Sequence, residues 1–131
     1  MVADSATSAV DTTLPPVHLT SFGFLNGEPE ADITLSMLFV KNPHNDPALR
    51  RMTGLDAEVQ KEILQNADAY LLLVEFANML SQVSQHSRRS WRVAIGCFKG
   101  RHRSVASVEI LGSMLKDRGV PVIVRHRDLP Q

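Results

Sequence analysis

Residues 91–124 read WRVAIGCFKG RHRSVASVEI LGSMLKDRGV PVIV, and their patterning decides the fold. Trp91 to Cys97 is a short apolar run with β-branched and aromatic members, which is strand composition. From Ser104 to Arg118 apolar residues recur at helical spacing, with Val105, Val108, Ile110, Leu111 and Leu115 supplying the inner faces. Gly119 is placed to end that helix, because glycine adopts the left-handed backbone at little cost. Val120 to Arg127 is strand-like again. Strand, helix and strand in this order form a βαβ unit, whose strands run parallel with a right-handed crossover. The expected class is α/β: a single domain with a mixed or mostly parallel sheet, flanking helices and a strand–anion loop–helix unit.

Upstream, Val17 to Phe22 alternates apolar and polar residues and reads as a first strand, closed by Gly23 and the turn pair Asn26-Gly27. Ile33 to Val40 reads as a second strand. Lys41 to Pro47 holds two prolines and two asparagines and is a structured loop. Asp56 is the expected cap of a helix built on Val59, Ile63 and Leu64. A longer helix is expected from about Ala69 to Gln85, with Leu72, Leu73, Phe76, Leu80 and Val83 as its stripe. Residues 1–16 show no apolar period and end in Pro15-Pro16, so they are expected to be a flexible tail ahead of a domain spanning 17–131.

Length and composition narrow the function classes. The 131 residues suffice for one domain with its own core. The single cysteine, Cys97, excludes an intrachain disulfide. The apolar stretches at 70–74 and 120–124 fall far short of the ~20 residues of a membrane helix. The first residues carry no basic-then-apolar leader pattern, so a cytoplasmic protein without membrane contact is expected. The formal net charge of zero conceals an asymmetry: residues 1–87 sum to −7 and residues 88–131 to +7. A basic C-terminal third implies an anionic partner, either a phosphorylated small molecule or inorganic anion, or RNA.

The loop Ile95-Gly96-Cys97-Phe98-Lys99-Gly100-Arg101-His102-Arg103-Ser104 carries the chemistry. It joins a strand to a helix N-terminus, where unsatisfied backbone N–H groups and the helix dipole attract anions. Lys99, Arg101, Arg103 and a protonated His102 add positive charge, and Gly100 lets the loop curl around one centre. Arg103 can grip a phosphate through two parallel hydrogen bonds. His44 lies in a proline-stiffened loop that can aim it at a ligand. Arg101, Arg103, Arg125 and Arg127 are candidates for RNA contacts, and Trp91 beside Arg92 is either a base-stacking ring or a strand anchor. The five histidines are spaced unlike any compact metal motif, so neither metal nor cofactor is expected. The exposed faces of the two mid-chain helices would suit a protein partner or a homo-oligomer.

Cys97, five intervening residues, Arg103 and Ser104 also match the C-x5-R-S loop of cysteine-dependent phosphatases. In that alternative Cys97 is the nucleophile, favoured as thiolate by the helix dipole and arginines, and Arg103 holds the phosphoryl oxygens. Gly96 stands where tyrosine phosphatases carry histidine, and no aspartate acid loop follows.

Taken in order, Ser21-Phe22-Gly23-Phe24, Asn42-Pro43-His44 with Asp46-Pro47, Leu49-Arg50, Thr53-Gly54-Leu55-Asp56, Ala94-Ile95-Gly96-Cys97, Gly100, His102-Arg103-Ser104 and Arg125-His126-Arg127-Asp128-Leu129 resemble the C-terminal domain of the RapZ (RNase adapter protein) family. The resemblance implies an α/β domain that binds RNA, senses an amino-sugar phosphate and presents small RNA to an endoribonuclease. It also implies a pocket in which Arg103, Ser104 and loop amides contact phosphate near Cys97 and His102, with His44 on the far wall. Phe98 and Lys99 depart from the family's G-C-T-G-G loop start, and Ser36-Met37-Leu38 stands where an Asp and an Arg are usual. The sequence holds no G-x-x-x-x-G-K-[ST] loop, so ATP binding is not carried over.

Overall fold

Parallel pairing organises the molecule. The computed structural model describes residues 9–130. Its four strands, β1 (Val17–Gly23), β2 (Ile33–Ser36), β3 (Arg92–Cys97) and β4 (Val122–His126), form one sheet in the order β2-β3-β1-β4. All three pairings are parallel, with Leu19 opposite Val93 and Val124, and Leu35 opposite Ile95. The sheet is thus uniformly parallel, and its carboxyl ends all meet at one rim.

Three helices complete the fold: α1 (Ala57–Gln65), α2 (Ala67–Ser87) and α3 (Arg103–Asp117). α3 lies on β1, β3 and β4, and α1 and α2 pack against α3. Strand alternation sends Val17, Leu19, Val93 and Ile95 into the core, where they meet Ala106, Leu111 and Leu115 of α3. Ile123 and Arg125 on the opposite sheet face stay exposed.

Several boundaries differ from those expected. β2 ends at Ser36 rather than Val40: the Ser36 hydroxyl accepts from the Leu38 amide, and Val40 N donates to Met37 O. Met37 and Val40 are buried as anchors of that turn. α2 starts at Ala67 because the Asn66 side chain accepts from Ala69 N, capping the helix two residues earlier than its apolar stripe suggests. Asp56 does precede α1, but its carboxylate accepts from Thr53 N instead of a helix amide. Ahead of β1, Asp11 N donates to Gly119 O and Leu14 is buried, so the chain is held against the body from Asp11 onward. Residues 1–8 of the expected tail lie outside the described residues. Among the described residues no helix is long and apolar enough to cross a membrane.

Candidate functional site

The site is built where β3 turns into α3. Gly100 takes φ 78°, and a Cβ there would sit 2.6 Å from Gly23 N, so the loop curls tightly over the end of β1. The facing wall is the segment between β2 and α1. A 3-10 turn at Pro43–Asn45 is capped by the Asn42 side chain, which accepts from His44 N.

Arginines stitch the two walls together. Arg101 donates from Nε to Met52 O (3.0 Å) and from Nη2 to Arg51 O (2.6 Å), while Gly54 N donates back to Arg101 O. Arg103 Nη1 donates to Leu38 O (3.2 Å) and Val40 O (2.9 Å). Arg50 Nε donates to His44 O, bracing the proline loop.

Between the walls lies a cavity of about 420 Å³, within the roughly 300–1,000 Å³ usual for small-molecule sites. Of the residues singled out from sequence, His44, Cys97, Phe98, Lys99, Arg101, His102 and Arg103 line it. Gly100 shapes the turn without lining the cavity. Ser104 is fully buried behind Cys97, whose thiol donates to the Ser104 hydroxyl at 3.2 Å. Sequence reasoning missed Asn42, Arg50 and Arg51, which also line the cavity. Their signal was adjacency to His44 and two consecutive arginines after a proline loop. None of the lining residues is an aspartate or glutamate.

Two buried groups at the cavity have unused polar atoms. His102 and Arg103 are each only 5% exposed, and neither His102 Nε2 nor Arg103 Nε has a hydrogen-bond partner. Unpaired buried polar atoms are costly, so this is a locally strained part of the wall. Burial holds the His102 pKa below its ordinary value, and the Arg101 charge pushes the same way, against backbone carbonyls at Arg50, Leu49 and Met52. Both causes favour the neutral imidazole, and the fixed positive charge of the site comes from its arginines and Lys99.

The four arginines named for RNA do not form one surface. Arg101 and Arg103 line the cavity, whereas Arg125 is exposed beside His18, Thr20 and Arg92 on the helix-free sheet face. β4 ends at His126, and the Arg127 guanidinium lies over the Phe22 ring at 5.6 Å, so Arg125 and Arg127 share one side of the chain and His126 takes the other. Arg127 pairs with Asp128 at 3.0 Å, and the Asp128 carboxylate accepts from Gly23 N. His126 turns inward instead, with Nδ1 2.7 Å from Ser21 Oγ and Nε2 2.7 Å from Glu109 Oε2. Trp91 lies under the Arg89 guanidinium, 4.0 Å from its centroid, and donates to Ser87 Oγ, so its ring anchors the start of β3.

The comparisons with known proteins agree with this architecture. The family described as the RapZ C-terminal domain matches residues 15–130. A nucleotide-binding protein of Streptomyces coelicolor is 41% identical over 114 residues, covering 83% of this chain and 38% of its own length. Relatives of the same description in Rhodospirillum rubrum (38% identity, 88% of this chain, 38% of theirs) and Corynebacterium jeikeium (39%, 93%, 44%) match similarly. The chain spans about two fifths of the length of these curated relatives.

Proposed function

The chain belongs to the RapZ C-terminal domain family, and on that premise we propose that it is a binding domain that holds a phosphorylated small molecule or inorganic anion in the cavity at the start of α3. One observation carries this reading: a cavity lined by Lys99 and four arginines, with no aspartate or glutamate among its lining residues, at the N-terminus of α3. The α3 amides supply a fixed partial positive charge at the same place. The relatives, of which this chain spans 38%, are described as nucleotide-binding proteins, and a small phosphorylated ligand is in keeping with that. RNA is the larger anion this family reading adds, bound as by a regulatory adapter.

The test is a thermal-shift titration with phosphate, sulfate, sugar phosphates and nucleotides on the wild type and on Arg103→Ala. A ligand that binds only the folded chain, at about 100 times its Kd, adds roughly 2.7 kcal/mol of stability. A shift for one class, lost in Arg103→Ala, supports the reading; no shift for any anion removes it.

A second reading has its own observation. The Cys97–Ser104 contact at 3.2 Å, at a strand end and a helix start, is the arrangement a thiol nucleophile of the C-x5-R-S type needs. The leaving group would need a proton donor, and His44 is the ring placed on the facing wall. Hydrolysis of an aryl phosphate that disappears in Cys97→Ser supports it, and absence of turnover excludes it.

A further inference from the structure

We infer that the cavity takes a ligand with two phosphate groups, one seated in the loop before α3 and the second between Arg50 and Arg51 on the facing wall. This rests on the anion-binding reading above and specifies its ligand class. The cationic side chains lining the cavity fall into two groups: Lys99, Arg101 and Arg103 on the α3 side, Arg50 and Arg51 on the other. A phosphate monoester carries about two negative charges at most near neutral pH. Seated against the α3 loop, it leaves the second group uncompensated. With no carboxylate among the lining residues, like charges repel across the cavity until an anion reaches both walls.

The donors match that division. Arg103 spends Nη1 on the wall carbonyls of Leu38 and Val40, which fixes its charge at the start of α3. Arg50 spends Nε on His44 O, which fixes its stem and points the remaining guanidinium donors away from that bond. Arg51 is an exposed lining residue whose backbone carbonyl is tied to Arg101, which fixes its backbone at the cavity wall. A volume of about 420 Å³ leaves room for an organic group beyond the phosphates. Nucleoside diphosphates and sugar bisphosphates share this chemistry. Phe98, 49% exposed at the cavity, separates them, because only a base has a flat face to lay on its ring.

Isothermal titration of the full chain decides it, with inorganic phosphate, pyrophosphate, a hexose 6-phosphate, a hexose 1,6-bisphosphate and a nucleoside diphosphate as probes. At least one two-phosphate probe is expected to bind about tenfold or more tighter than the one-phosphate probes. In Arg51→Ala and Arg51→Glu that ratio should fall toward one. Arg51 is exposed, so circular dichroism should report an intact fold in both variants. Loss of affinity for the nucleoside diphosphate alone in Phe98→Ala assigns the nucleotide source. An unaltered preference for the hexose bisphosphate assigns the sugar. Equal affinities for one- and two-phosphate probes, or an advantage that survives Arg51→Glu, overturn the inference while leaving the anion site standing. Silence from every probe removes the anion reading as well.

Discussion

Arg103 Nη1 donates to Val40 O at 2.9 Å, so the first residue of α3 is bolted to the turn that ends β2. The same bond shapes the cavity wall and closes the sheet rim. Arg103→Ala should therefore lose anion binding and stability together. Two wall carbonyls, at Leu38 and Val40, would lose their donor, a cost of about 1–3 kcal/mol. Arg103→Lys restores charge but not the fork, and should recover less of the anion affinity than of the stability. Urea unfolding beside the titration separates the two, and an unchanged midpoint in Arg103→Ala would refute the structural role.

Acid should loosen the fold in two windows. Burial holds the His102 pKa below the ordinary 6.5 of a free imidazole, so the unfolded chain binds this proton first. Stability then falls as pH drops through 6.5 toward the folded pKa, and is fully present above 6.5. Asp128 acts lower. Burial tends to raise its pKa, but hydrogen bonds from Arg127 and Gly23 N outweigh that and hold it below 3.8. Its contribution is present above 3.8 and lost as pH falls through the folded value. Denaturant midpoints at pH 8, 6 and 5 should decline in the wild type and flatten in His102→Asn.

Gly100→Ala should displace the anion loop. The residue combines φ 78° with a backbone contact that leaves no room for a Cβ. Strain of this kind costs on the order of 1–3 kcal/mol. Phosphate affinity in this variant should drop even at temperatures where it stays folded. Wild-type affinity in a folded Gly100→Ala chain would show that the turn does not shape the site.

The partly buried Ser21–His126–Glu109 chain links β1, β4 and α3. Ser21→Ala should cost about 1 kcal/mol by removing one hydrogen bond to a partly buried imidazole. It should leave anion affinity intact, because these groups stand apart from the cavity lining. Calorimetric unfolding of the variant checks the first point and titration the second.

If RNA is the partner, its affinity should fall steeply with salt, since each neutralised phosphate releases counterions. Gel-shift titrations at low and moderate salt, on the wild type and Arg125→Ala, measure that slope. A slope near zero removes electrostatic RNA binding.

How much of this was legible in the sequence depends on the range of the interactions involved. The βαβ unit, Gly119 as helix stop and the loop before α3 rest on local patterning, and residues 91–124 display all three. The early stop of β2 was not legible. Leu38, Phe39 and Val40 are as apolar as a strand, but a turn closed by Val40 N to Met37 O ends the pairing, and Arg103, 63 residues beyond Val40, takes the carbonyls of Leu38 and Val40. Likewise no local pattern shows that Asp128 accepts from the amide of Gly23, 105 residues away.

By itself the sequence determined the α/β class, the strand–loop–helix unit and the cationic loop from Cys97 to Ser104, because periodicity, turn chemistry and charge are encoded within a few residues. Only the tertiary structure decided that the sheet is wholly parallel, that Arg50 and Arg51 face Arg101 and Arg103 across one cavity, and that Arg125 and Arg127 lie elsewhere. Those facts depend on strand order and on hydrogen bonds between segments some fifty residues apart, such as Arg101 to Arg51, and local pattern does not record them.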